Sequence, residues 1–251
     1  MTHATITPLG TVSPYPKGEM NCPGYLVEYK GYRLLIDCGN GVSRLMTMPD
    51  MLNNLYVVVS HYHKDHFGDV GALQYASFVY HNLGILTQPV KIFLPDNDFA
   101  NNKLAIVSNT ESFTEYHYIS DGFSFMIDDL EVSFANNLSH TIEAFMVKVQ
   151  CCDFKIAYTA DMGNTNLSHV AEFCKDSDLL ICESSLLLSH NGNRARHLTA
   201  YDAGLLAKQA NVKRLMLTHF WPEEDKNRYV DEAKKVFENT FAAEELVKIT
   251  L

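Results

Sequence analysis

The 251-residue chain lacks several features whose absence narrows its class. There is no excess of positive charge. The formal net charge is −10 at pH 7, whereas a protein that grips a long stretch of nucleic acid usually carries a basic surface. No extended nucleic-acid surface is therefore expected, although a metal-centred positive patch can still attract a single phosphate group. No apolar stretch approaches the roughly 20 residues needed to cross a bilayer, so no membrane partner is expected. Met1-Thr2-His3-Ala4-Thr5-Ile6-Thr7-Pro8 has no basic cluster followed by an apolar run. It does not read as a secretory signal, and the expected location is cytoplasmic. The six cysteines, Cys22, Cys38, Cys151, Cys152, Cys174 and Cys182, form no C-x-x-C pair. That argues against a zinc ribbon and leaves reduced, mostly buried thiols as the expectation. Internal repeats, low-complexity tracts and Pro/Gly/Ser-rich linkers are also missing. Residues 1–251 are accordingly expected to form a single domain.

What is present reads as an ordered globular chain, with 47% hydrophobic and 20% charged residues. Strands are expected over 24–29 and 32–37, joined by Lys30-Gly31 as a tight hairpin turn. Leu55-Tyr56-Val57-Val58-Val59-Ser60 is a continuous apolar run rich in β-branched residues, as in a strand buried on both faces. Further strands are expected over 90–94, 130–135, 144–151, 154–159, 179–182 and 214–218. Helices are expected over 69–81, 167–175, 200–210 and 231–240, the third capped by Thr199. About ten strands interleaved with four or five helices make an α/β protein.

Directly after the apolar run comes Ser60-His61-Tyr62-His63-Lys64-Asp65-His66. Four side chains with lone pairs suited to a borderline cation fall within six residues. In an extended segment His61 and His63 point the same way and are placed to chelate one ion. Asp65 and His66, at the turn into a helix, point elsewhere and suit a second ion.

This loop resembles the signature of the metallo-β-lactamase superfamily, and the resemblance extends over nearly the whole chain. It implies an αββα sandwich of two mixed sheets with helices outside. Leu35-Ile36-Asp37-Cys38-Gly39 resembles the family's early strand ending in Asp-x-Gly, which implies that Asp37 supports the metal loop from behind. The remaining family ligands occur in order at strand ends: His140, Asp161 and His219. By resemblance, His61, His63 and His140 hold one ion, Asp65, His66 and His219 hold the other, and Asp161 bridges them. Two divalent ions are implied, Zn²⁺ first, with Mn²⁺ or Fe as alternatives that the same donors accept. A homodimer is implied by resemblance alone.

Within the superfamily the ribonuclease Z-like branch matches best. Cys182-Glu183-Ser184 resembles its His-Glu-Ala stretch, and Arg196-His197-Leu198-Thr199-Ala200 resembles the segment that opens a late helix. The resemblance assigns proton transfer or phosphate contact to His197, with Glu183 orienting it. Asp65, His197 and Glu183 are the candidate catalytic residues. The chain departs from the branch at Ala160-Asp161-Met162, where Gly-Asp-Thr is usual. It also has only 21 positions from His140 to Asp161. That gap fits one hairpin and not the protruding arm of tRNA-processing members. The expected activity is metal-dependent hydrolysis of a small phosphodiester or short nucleic acid. Ester, lactone or thioester hydrolysis at the same ions is the alternative, and a non-enzymatic metal-binding protein is the third reading. Tyr62, Phe67, Phe220 and Trp221 flank the ligands and are read first as packing aromatics.

Overall fold

The structure, a computed structural model, describes residues 4–96 and 112–251. Met1, Thr2 and His3 of the N-terminal reading lie outside these. The chain divides into two compact units, Met1–Ile119 with Glu245–Thr250, and Ser120–Glu244 with Leu251.

The first unit is built on a seven-stranded sheet. Its strands are β1 (Thr5–Gly10), β2 (Gly24–Tyr29), β3 (Tyr32–Ile36), β4 (Leu55–Val58), β5 (Val90–Pro95), β6 (Thr114–Ile119) and the chain's last strand, β14 (Ile249–Thr250). Their order is β14-β1-β2-β3-β4-β5-β6. The sheet is antiparallel from β14 to β3 and parallel from β3 to β6. Lys30 and Gly31 both have positive φ, 49° and 83°. That is the backbone of the tight turn that matches strand twist, and it sets Tyr29 opposite Tyr32. The parallel strands need longer crossovers, which carry the helices α1 (Ser43–Met46), α2 (Pro49–Leu52), α3 (Lys64–Phe67) and α4 (Val70–Asn82). Leu35, Val57, Val59, Leu73 and Ile92 lie in the core of this unit.

The second unit repeats the plan. Its strands are β7 (Ser124–Ile127), β8 (Leu130–Asn136), β9 (Phe145–Gln150), β10 (Lys155–Tyr158), β11 (Leu179–Glu183), β12 (Leu215–Thr218) and β13 (Thr240–Ala242). The order is β13-β12-β11-β10-β9-β8-β7. The sheet is antiparallel from β7 to β10 and parallel from β10 to β13. Helices α5 (Leu167–Cys174), α6 (Ala200–Gln209) and α7 (Lys226–Ala233) fill the three parallel crossovers. Leu180, Leu206, Leu215 and Phe220 sit in its core.

Thr199 caps α6 as expected. Its side chain accepts from Asp202 N, and the Asp202 side chain accepts from Thr199 N, a reciprocal capping box. Thr199→Ala is expected to cost about 1 kcal/mol, read as a fall of about 2–4 °C in Tm by calorimetry.

The structure corrects several expectations. Fourteen strands are described, not about ten. β1 escapes a sequence reading because Pro8 interrupts its pattern, and the β1–β2 register shifts between Pro8 and Gly10. The helix expected over 231–240 lies at Lys226–Ala233 instead. Asp225 caps it by accepting from Asn227 N, while residues 240–242 pair with β12 as β13. The cysteines are mostly buried, as expected: four are buried, Cys151 is half-buried and Cys152 is exposed. Burial pushes the Cys22 and Cys174 thiols up to about 12, so both stay protonated and inert. Among the described residues, no helix is long and apolar enough to cross a membrane.

Candidate metal centre

In the first unit the chemistry gathers where β3 and β4 end side by side. Asp37 follows β3 with φ 60°, and its N–H donates to Val58 O at 2.7 Å. The turn places a fully buried carboxylate behind the loop that leaves β4. Asp37 Oδ1 accepts from Ser60 N at 2.7 Å, and Oδ2 accepts from Ser60 Oγ at 2.9 Å. The same Oδ2 accepts from His66 Nδ1 at 2.7 Å. Ser60 Oγ in turn lies 3.0 Å from His61 Nδ1. His61 Nε2 is 3.2 Å from His63 Nδ1, so two imidazole nitrogens converge on one point. His66 Nε2 lies 3.7 Å from Asp65 Oδ2, which accepts from Ser13 Oγ at 2.7 Å. Gly39 explains the small residue of the Asp-x-Gly stretch. A Cβ there would fall 1.9 Å from the Asp65 carbonyl oxygen, so no side chain fits beneath this loop. Removing the Asp37 carboxylate leaves Ser60 and His66 donors buried without their acceptor. Asp37→Ala is expected to lower stability by about 3 kcal/mol or more, measured by denaturant unfolding.

In the second unit the chemistry lies at the carboxyl ends of β10, β11 and β12. Asp161 follows β10 and is almost fully buried. Its Oδ1 lies 3.0 Å from His219 Nε2 and its Oδ2 3.9 Å from His140 Nε2. One carboxylate thus offers a different oxygen to each of two imidazoles. Asn137 Nδ2 donates to the Asp161 carbonyl at 2.7 Å and fixes the turn. Gly163 lies under the same turn, where a Cβ would meet the Ala195 carbonyl oxygen at 2.1 Å.

Glu183, 1% exposed at the end of β11, is fully engaged. Oε1 accepts from Met162 N at 3.1 Å and from His197 Nδ1 at 3.0 Å. Oε2 accepts from Ser185 N and Ser185 Oγ, both at 3.0 Å. Ser185 Oγ also lies 2.7 Å from His219 Nδ1. Donor atoms of Asp161, His197 and His219 fall within 4.8 Å of one another. Burial disfavours the charged form of His197, but the charge and hydrogen bond of Glu183, helped by Asp161, raise its pKa above the ordinary histidine value.

Some of the chain's left-handed backbone falls at these turns. Asp37, Leu138, Ala160 and His219 all adopt left-handed φ between 53° and 63°. Outside Asn, Asp and Gly that conformation costs roughly 1–2 kcal/mol per residue. It persists only where surrounding contacts enforce it, as functional turns do.

Every candidate ligand and catalytic residue read from the sequence thus falls into one of two sets. His61, His63, Asp65 and His66 gather with Asp37 in the first unit. His140, Asp161, His197 and His219 gather with Glu183 in the second. Both sets combine buried imidazoles with carboxylates, donors that suit a divalent borderline cation. Several imidazoles have one nitrogen tied to a carboxylate or hydroxyl, the arrangement that orients metal-ligating histidines. The sequence reading missed Ser13, Ser60 and Ser185. A lone serine carries no spacing signal, and only its folded neighbours reveal a role. Of the flanking aromatics, Tyr62, Phe67 and Phe220 are buried packing residues, whereas Trp221 is 45% exposed.

Comparison with known proteins identifies the family. Residues 32–220 match the β-lactamase superfamily domain. A probable metallo-hydrolase, YhfI of Bacillus subtilis, is 30% identical over 234 residues, covering 92% of this chain and 93% of that one. The crystal structure of the metallo-β-lactamase fold protein YhfI superposes with a TM-score of 0.88 at 25% identity, covering 99% of this chain and all of the other. Ribonuclease Z of Clostridioides difficile is 27% identical, with 98% of each chain covered. That alignment runs to 302 positions against 251 residues here, so more than 50 of its positions have no counterpart in this chain. The chain belongs to the β-lactamase superfamily. It has the metallo-β-lactamase fold, with two mixed sheets and their helices, and is a metal-dependent hydrolase related to ribonuclease Z.

Proposed function

We propose that this protein is a dinuclear phosphodiesterase that lacks a tRNA-gripping arm and acts on small phosphodiesters or short nucleic acids. Residues 1–251 are read as a single domain. His61, His63 and His140 would hold one divalent ion, Asp65, His66 and His219 the other, with Asp161 shared. Zn²⁺ is the first candidate, ahead of Mn²⁺ and Fe. The observation that carries the dinuclear reading is the Asp161 carboxylate, which turns one oxygen to His219 and the other to His140. When bound, such ions supply Lewis acidity and a nucleophilic water at neutral pH.

The chain's own groups supply the rest. Asp37 and Glu183 hold the imidazoles in orientation. His197, held through Nδ1 by Glu183, would deliver a proton from Nε2 to the leaving oxygen. The absence of the arm is supported by the chain between His140 and Asp161, which contains the β9–β10 hairpin and no other strand or helix. A homodimer accompanies this reading by resemblance.

The test is metal content by mass spectrometry together with turnover of bis-nitrophenyl phosphate on the same sample. The expected result is about two ions per chain and turnover that a chelator abolishes. Two ions with hydrolysis of a lactone or nitrophenyl acetate, and none of the phosphodiester, would move the assignment to carboxylic esters. No ion retained after incubation with Zn²⁺ or Mn²⁺ would sink the reading.

A further inference from the structure

The two sets of donors share a construction principle. In each, one buried carboxylate holds two imidazoles, one directly and one through a serine hydroxyl. Asp37 takes His66 Nδ1 directly at 2.7 Å and reaches His61 Nδ1 through Ser60 Oγ, at 2.9 and 3.0 Å. Glu183 takes His197 Nδ1 directly at 3.0 Å and reaches His219 Nδ1 through Ser185 Oγ, at 3.0 and 2.7 Å. A serine hydroxyl has a single proton to donate. An ionised carboxylate can only accept, so the hydroxyl proton points to Asp37 in one set and to Glu183 in the other. The serine oxygen must then accept from the histidine. That places the proton of His61 and of His219 on Nδ1 and the lone pair on Nε2. In His61 this nitrogen faces His63 Nδ1 at 3.2 Å; in His219 it faces Asp161 Oδ1 at 3.0 Å, an acceptor that competes for the proton, so the 2.7 Å contact with Ser185 Oγ has to hold the proton on Nδ1.

We propose that Ser60 and Ser185 are positioning residues that fix the Nε2 lone-pair tautomers of His61 and His219, so that both imidazoles are preset to receive a divalent cation. The proposal rests on the reading of these histidines as metal ligands. Hydroxyl relays of this kind act on the ligand's orientation and basicity, and their loss typically costs about 10- to 100-fold in metal affinity.

The experiment compares the wild-type protein with Ser60→Ala, Ser185→Ala and the hydroxyl-keeping Ser60→Thr and Ser185→Thr. Two readouts are used. Long-range proton–nitrogen correlation spectra of the metal-free proteins report the tautomer of each histidine. Competition with a chromogenic chelator reports the affinity for Zn²⁺ alone. The expected result is a single Nδ1–H tautomer for His61 and His219 in the wild type. Each alanine variant should show a mixed population at its own histidine and about 10-fold or greater loss of Zn²⁺ affinity, with the threonine variant restoring both. The opposite tautomer in the wild type would overturn the proposal. So would alanine variants that keep both tautomer and affinity, or that lose affinity with the tautomer unchanged. Absence of Zn²⁺ binding to the wild type would sink the metal-centre reading instead, and the spectra would still decide the tautomer.

Discussion

Asp161→Ala is expected to eliminate turnover and to release metal in a single step. The carboxylate is almost fully buried and lies 3.0 Å from His219 Nε2 and 3.9 Å from His140 Nε2. In a paired-ion site the shared carboxylate sets the separation of the ions, and with it their action on one substrate. Loss of about three orders of magnitude or more in kcat/KM is expected, with metal content falling from about two ions per chain toward one or none. An alanine variant that retained both ions and more than a tenth of its turnover would remove Asp161 from the bridging position.

His197→Ala is expected to show the complementary pattern, in which kcat falls and both ions remain. His197 has a side chain 32% accessible, and Glu183 accepts from it at 3.0 Å. A proton donor positioned at a leaving oxygen typically contributes about 10²- to 10⁴-fold. The deficit should shrink for substrates whose leaving group needs no proton, such as nitrophenolate, and widen for alkyl leaving groups. Equal loss on both, or loss of metal together with activity, would show that His197 holds an ion or a phosphate oxygen rather than a proton. Glu183→Gln separates the orienting role from the chemical one. It keeps the shape but takes the negative charge from beside His197, so kcat should fall in the same direction by a smaller factor.

Different parts of the site were legible in the sequence to different degrees. The loop from His61 to His66 was plain because four donors within six residues after an apolar strand have no packing explanation. His140, Asp161 and His219 were ordinary loop residues until the resemblance ordered them. In the structure they converge because β8, β10 and β12 belong to one sheet. Ser60 and Ser185 could not be read at all, since a hydroxyl's partners are set by folding and not by spacing. The fold shows the same division. Long periodic segments such as α4, and buried runs such as β11, were found within a residue or two. β13 was missed, with only its first residue, Thr240, taken into the helix expected over 231–240, because its three residues owe their conformation to pairing with Leu215, Met216 and Leu217, a contact that local sequence does not announce.

The parallel stretch from β10 to β12 also acts as a ruler. Asp161, Glu183 and His219 stand at the ends of three strands laid side by side, and neighbouring strands repeat at about 4.8 Å through backbone hydrogen bonds that no side chain can adjust. β10 and β12 lie two strand spacings, roughly 10 Å, apart, and the turns that follow them bring the Asp161 and His219 side chains to within 3.0 Å. The spacing of these two side chains thus starts from a dimension common to every β-sheet, which substitutions in the surrounding surface leave untouched.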